Sequence, residues 1–534
     1  MNTAIRATLL IAIFSVLSKI LGLGRWMVFS NRLGAGQESD IYVAAFRFPD
    51  LIFNLLILGT LSAAFIPVFV EYLGRDREEA FVVASTIFNI TLAVMAFLGF
   101  VGFLFSPLLV KILAPGFSAE AKIQTAHLTR ILMLSPLLFG LSSVLTSVLH
   151  SFKRFLTASM APLLYNLSII IGVVFFFPRF GLAGIVWAGV AGAFLHFAIQ
   201  LPLSLRLGLQ PFRNFTLFHP GVRKIARLFL PRIFGIELGQ ISLLTASVIG
   251  STLAAGGITS FYYAYDLYTV PIGILAVPFA LASFPYMSEF FAKRDFSGMK
   301  KFFSETTVQI LFLIIPVSVI ILLLRAQLVR LIFGAGGNTN FSFADTRLTA
   351  QALGYFALSL FAQALVPLLA RCFYAMQNTL IPVISGFISA VVNIGLAVFF
   401  TRTGGADTMA LAFSAAIIVH MIIMLAVLHH RLRGLEDEFI ILRVVKISVA
   451  SILMGIATYV TLYLVAPFVD MSTYVGVMIQ TLAAFAAALA TYFIAGHIVK
   501  LPETKQVLVV IKNWFTKFTK PVTSAIVDMF TDIK

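Results

Sequence analysis

The sequence predicts an all-α polytopic membrane protein of about fourteen transmembrane helices, arranged as two pseudo-symmetric six-helix lobes plus two C-terminal helices. Three observations predict it. Of 534 residues, 60% are hydrophobic and 11% charged, against about a quarter charged in a soluble domain, and the mean hydropathy is +1.00. Apolar runs repeatedly reach the roughly 20 residues that a helix needs to cross about 30 Å of hydrocarbon, without the alternation of a barrel strand. Two segments also recur about 220 residues apart.

Charged, glycine-rich or proline-rich breaks place the spans near 5–30, 40–72, 80–108, 125–150, 154–178, 181–205, 223–253, 257–290, 302–333, 346–375, 379–401, 408–429, 443–468 and 472–498. The first run opens with a single Arg6, lacks a small-residue cleavage site and leads into further spans, so it reads as a retained helix and not a removable signal. With the N-terminus in the cytoplasm, GRDREE (74–79), Lys153 with Arg154, the stretch from Arg206 to Lys224, KRDFSGMKK (293–301) and HHRLRGLEDE (429–438) share one side. That is the positive-inside pattern, and RAQLVR (325–330) is its one exception. An even span count returns the C-terminus to the cytoplasm.

The repeat pairs FIPVFVEYLGRD (65–76) with FPYMSEFFAKRD (284–295), each with proline four residues before glutamate and a basic–Asp finish. A weaker echo pairs LHSFKRFLTASMAP (149–162) with CFYAMQNTLIP (372–382). Six spans per repeat keeps both halves in one orientation, related by an axis along the membrane normal, with a substrate cavity expected between them. The resulting organisation is an N-terminal lobe (1–205), a cytoplasmic linker (206–222), a C-terminal lobe (223–430), a two-helix segment (431–500) and an amphipathic cytoplasmic tail (501–534). In the tail, Val507, Val510, Ile511, Trp514, Phe515 and Phe518 form one helical stripe, with Lys505, Lys512 and Lys520 off it. The stripe fits either an interfacial helix on the membrane or a helix packed on the protein's own loops.

Several functional classes are disfavoured. The net charge of +16 reads as orientation and anionic-lipid contact rather than nucleic-acid binding. The single cysteine, Cys372, allows no internal disulfide or multi-cysteine metal site. Phosphate-loop, H-E-x-x-H and G-x-S-x-G signatures are missing, so no enzyme is expected.

Ionisable groups within spans are costly and usually face a polar cavity or a partner. Here they are Lys19, Arg25, Asp40, Arg47 and Asp50 in the first half, and Arg232, Glu237, Asp266 and Arg371 in the second. Lys19 lies about 18 Å beyond Ala7 along a helix, too deep to snorkel back. Six residues turn about 600°, so Lys19 and Arg25 point roughly 120° apart unless Gly22 and Gly24 bend the segment. Together they suit an anionic, phosphate-bearing substrate, Arg25 as a bidentate fork and Lys19 as a point charge. The alternative is anchoring at the outer end of span one. Asp40 and Arg47 open span two, and Asp40 is a candidate partner for Arg25. Asp266 and Glu237 are candidates for proton or sodium coupling, with a Glu237–Arg232 pair as the structural alternative. Pro49 and Pro67 in span two and Pro271, Pro278 and Pro285 in span eight predict kinks.

The order LSKILGLGRWMVFSNRLGAGQESDIYVAAFRFPDL (17–51), GTLSAAFIPVFVEY (59–72), APGFSAEA (114–121), FYYAYDLYTVPIGILA (261–276) and FYAMQNTLIPV (373–383) resembles the MurJ (MviN) lipid II flippase family. The resemblance covers spans one to twelve, and G-x-x-R…GAG-x-x-x-D is its most specific part. It implies the multidrug/oligosaccharidyl-lipid/polysaccharide exporter fold, a central cationic cavity for a pyrophosphate-linked headgroup and a groove near the last two helices for the polyprenyl tail. Lys19 stands where the family usually has arginine, Arg25 matches a headgroup arginine, Asp40 matches an acidic residue after GAG, and Arg47 occupies a basic position before the proline. The chain departs from the family at Phe53, commonly basic, at Leu58, commonly acidic, and at Asp266, an arginine position. Residues 379–401 hold no counterpart of the acidic sodium ligands found in some members.

The function so implied is outward movement of undecaprenyl-pyrophosphate-linked disaccharide-pentapeptide (lipid II) by alternating access in the bacterial inner membrane. No cofactor is expected, with coupling to membrane potential, proton or sodium gradient left open. Anionic lipids and cell-wall synthesis proteins are the further partners expected. The alternatives are a related exporter of another polyprenyl-linked saccharide or of drugs, and a non-transporting cell-envelope scaffold.

Overall fold

A computed structural model describes residues 3–56, 60–213, 215–233, 238–334 and 339–505. The predicted tail stripe, Leu58 and Glu237 lie outside them. The α-helices run α1 (Thr3–Leu33), α2 (Gln37–Leu56), α3 (Thr60–Leu73), α4 (Arg77–Leu113), α5 (Ala119–Leu132), α6 (Leu134–Ser151), α7 (Leu156–Ile171), α8 (Phe177–Ala198), α9 (Leu201–Leu207) and α10 (Pro220–Ile233). They continue with α11 (Leu238–Gly250), α12 (Gly257–Pro271), α13 (Val277–Ala292), α14 (Phe296–Phe333), α15 (Phe343–Ala357), α16 (Leu360–Ala375), α17 (Leu380–Thr403), α18 (Thr408–Leu432), α19 (Asp437–Val465) and α20 (Tyr474–Ile498).

Among the described residues, ten stretches are long and apolar enough to cross a membrane, or eleven if α15 and α16, bent by 48°, make one. One of them, Leu156–Leu207, has 52 residues, more than twice the length of a crossing. Gly181 inside it takes φ 57°, so the stretch turns back and supplies the two predicted spans 154–178 and 181–205. The pairs α2/α3 and α10/α11 occupy the spans predicted at 40–72 and 223–253. The chain is a multi-pass helical membrane protein, as its composition requires: without water, backbone groups are satisfied only within a helix or a closed barrel.

The two π-turns among the described residues have a common cause. Gly172–Phe176 and Ile272–Ala276 each lie just before a proline, Pro178 and Pro278, and the N–H of Phe177 and Val277 bonds back five residues to Gly172 and Ile272. Proline offers no N–H to the carbonyl four residues earlier and its ring crowds that carbonyl, so the ladder widens by one residue.

The internal repeat is matched in local roles. Glu71 pairs with Arg75 at 2.8 Å and Glu289 with Lys293 at 2.5 Å, both four residues apart. Asp76 accepts from the Glu78 and Glu79 N–H groups to cap α4, and Asp295 accepts from the Gly298 N–H at the start of α14. Asp76→Ala and Asp295→Ala should each cost about 1 kcal/mol, the usual value of an N-cap, read as matching losses in thermal unfolding of the detergent-solubilised protein. A much larger loss at only one of them would break the equivalence.

The described residues form two compact units. The first comprises Met1–Val270, Leu328–Phe356 and Val383–His420. Within it, α3, α4, α6 and α10 pack around Phe65, Phe69, Phe81, Val144, Val148 and Val222, with Phe65 and Phe69 stacked at 5.2 Å. The loops after spans one, three, seven and nine also join there. Ser30 Oγ donates to the Phe333 carbonyl at 2.7 Å, Asn340 Nδ2 to the Arg32 carbonyl at 2.6 Å, and the Gly116 N–H to Ser251 Oγ at 3.1 Å. Gly256 is required at this joint: its φ is +89°, and a Cβ would fall 2.1 Å from the Ala35 carbonyl oxygen. The exceptional Arg330 is anchored nearby, donating to the Phe341 carbonyl at 3.2 Å and lying over Phe343 at 4.7 Å.

The second unit comprises Pro271–Gln327, Ala357–Pro382 and Met421–Lys534. Here α19 and α20 pack together and dock on α14. Tyr492 Oη donates to the Phe312 carbonyl at 2.7 Å, and at Gly455 a Cβ would meet Val319 at 3.0 Å.

Candidate functional site

Four predicted site residues meet in the first unit. Eight residues separate Arg25 from the end of α1 and fourteen separate Lys19 from it; Arg47 is ten residues into α2, and Asp266 nine into α12. At 1.5 Å per residue these are depths of about 12, 21, 15 and 14 Å from helix ends that span parity puts on one side, which is mid-depth in a 30 Å core.

Arg47 is held on three sides: Nη2 reaches Asp50 Oδ2 at 3.1 Å, Nε donates to the Val43 carbonyl at 3.1 Å, and the guanidinium lies 4.0 Å over Tyr262. The i,i+3 pairing on one helix explains why Asp50 faces Arg47. Asn54 Nδ2 extends the polar row to Gln240 Oε1 at 3.3 Å. On α1, the Arg25 guanidinium lies 5.0 Å over Trp26, whose ring meets Tyr263 edge-on at 5.3 Å. Trp26 Nε1 donates to Asp266 Oδ2. Arg25, Lys19 and Arg47 are all within electrostatic reach of Asp266, and Arg47 and Arg25 within reach of Asp50. Arg25 and Arg47 thus act on both carboxylates, and Lys19 on Asp266 alone.

Asp40 differs from the expectation. Its carboxylate is buried and taken up by the Gly256 N–H (2.7 Å), the Thr259 N–H (2.8 Å) and Thr259 Oγ1 (2.6 Å), rather than by Arg25. It caps the start of α12, where orphan N–H groups and the positive end of the helix dipole favour an anion. The expected bend in span one is likewise not a break: α1 is continuous through Gly22 and Gly24, and Lys19 is exposed while Arg25 is half-buried. Phe53 joins an apolar cluster with Ile52, Met95 and Met133 and packs on Phe139 at 5.0 Å, giving the site an aromatic wall where the resemblance anticipated a cation.

Trp26, Tyr262 and Gln240 were not singled out by sequence reasoning. Trp26 and Tyr262 contact charges from other helices and Gln240 the Asn54 amide of α2, and only Trp26, beside Arg25, carried a local signal. Asp50 was visible as an ionisable group within a span, three residues after Arg47.

A polytopic helical protein with a cation-bearing polar interior at mid-depth, walled by aromatic rings, has the makings of a membrane carrier for an anionic amphiphile. The comparisons agree and go further. Residues 29–479 match the family model described as Lipid II flippase MurJ. The chain is 27% identical to the probable lipid II flippase MurJ of Buchnera aphidicola over 487 residues, covering 88% of this chain and 92% of that protein. It is 29% identical to the lipid II flippase MurJ of Burkholderia cenocepacia over 393 residues, covering 71% and 74%. Its fold is similar to a solved MurJ in an inward closed conformation (TM-score 0.76, 24% identity, 92% of this chain and 99% of that one). It is also similar to an inward-facing multidrug resistance MATE transporter (TM-score 0.63, 17% identity, 81% and 98%). The chain belongs to the MurJ family of lipid II flippases, multi-pass transporters of the inner membrane rather than enzymes.

Proposed function

We propose that this chain moves lipid II across the cytoplasmic membrane by alternating access, with Lys19, Arg25 and Arg47 receiving the diphosphate. The observation that carries the reading is the placement of these three cations at mid-depth, within reach of one carboxylate on a third helix. Cations there are costly without a partner, and a diphosphate supplies one.

The proposed moving halves are the lobes 1–205 and 223–430, on the support of the matched pairs and caps of the repeat. Both termini are proposed to be cytoplasmic. Lys153, Arg294, Arg433 and Lys500, four of the six non-glycine residues with positive φ among the described residues, each sit just past the end of an even-numbered span. There they complement the negative helix ends as well as the inside-positive rule and would meet anionic lipids. Asp266 and Glu237 are the carboxylates available for coupling to a proton or sodium gradient. Phe53 on Phe139 and the acid at 266 favour a second reading, another polyprenyl-linked saccharide.

The test is depletion of a bacterial host's flippase with this gene supplied in trans. Restored growth and cell-wall synthesis are expected. Failure with the protein present in the membrane would remove lipid II and leave the second reading.

A further inference from the structure

Resting on the diphosphate reading above, we infer that Asp266 is a built-in counter-ion for Lys19 and Arg25, held by the Trp26 indole and displaced when the anionic headgroup enters.

The two carboxylates of the site differ. Asp50 is bound at 3.1 Å by Arg47 of its own helix, so its charge is already matched. Asp266 comes from α12, and its side-chain hydrogen bond is to the neutral indole N–H of Trp26, which fixes the oxygen without cancelling its charge. Arg25 and Lys19 are within electrostatic reach of it, and Arg25 lies on the face of the same Trp26 ring that holds Asp266. An empty cation pair at mid-membrane depth needs a compensating anion, and a carboxylate there needs cations; Asp266 satisfies both demands. A diphosphate brings two or more negative charges to the same cations, so it competes with Asp266 and is repelled by it. Trp26 is the contact that changes as one anion replaces the other, because its ring carries Arg25 on its face at 5.0 Å and Asp266 on its N–H. Asp266 would therefore set how tightly the anion is held and hence how readily it leaves, a specificity and release role rather than direct contact.

The experiment measures binding of inorganic pyrophosphate and of a polyprenyl diphosphate to the purified full chain in detergent, by calorimetry and by indole fluorescence. Asp266→Asn keeps the shape and removes the charge, and should bind both probes about tenfold tighter or more, as expected for removing one nearby like charge. Trp26→Phe should tighten binding by less and abolish most of the fluorescence response. Diphosphate binding by the wild type with Asp266→Asn no tighter, or weaker as for an ion-coupling or directly contacting carboxylate, overturns the counter-ion and leaves the flippase reading standing. If neither the wild type nor folded Asp266→Asn binds either probe, both fall.

Discussion

Arg25→Ala is expected to abolish growth rescue in the depleted host while the protein remains in the membrane at normal level, and Lys19→Ala to do the same. A charge-assisted contact to phosphate is worth about 1.5–3 kcal/mol, which is roughly 10- to 150-fold in affinity. Arg25→Lys keeps the charge but loses the fork, so partial rescue is expected. Normal growth with Arg25→Ala at wild-type abundance would remove Arg25 from the headgroup site. Because Lys19 and Arg25 are fixed about 120° apart on the continuous α1, they address different sides of a ligand and neither substitutes for the other.

Asp40→Ala should be the most destabilising change in the joint at Gly256, by about 3 kcal/mol or more, because it strips partners from two backbone N–H groups and a hydroxyl that are buried with it. Asp40→Asn retains one acceptor oxygen and should cost less. Thermal unfolding in detergent reads the difference. If the two variants unfold alike and near the wild type, Asp40 is not what holds the start of α12. The contacts in place are structural: Asp40 holds the loop at Gly256 and the start of α12 against the α1–α2 turn.

Some features are dictated by neighbouring residues, although of these only a kink at Pro278 was among the sequence-based expectations. The Asp76 and Asp295 caps lie within three residues of the groups they bind, the π-turns follow from Pro178 and Pro278, and the Arg47–Asp50 pair lies on one helical face. The bend that Gly22 and Gly24 permit does not interrupt α1: opening the helix would orphan backbone groups in hydrocarbon, which costs more than the roughly 1 kcal/mol of glycine's poor helix propensity.

The sequence alone thus determined a bundle of membrane-crossing helices and the few charges set within them, because hydrophobic length and desolvation cost are properties of short stretches. Only the tertiary structure decided which charges meet. Asp40 finds its donors 216 and 219 residues away and Asp266 finds Trp26 at a distance of 240, and the pairing of a buried ion is chosen by whichever helix packs beside it.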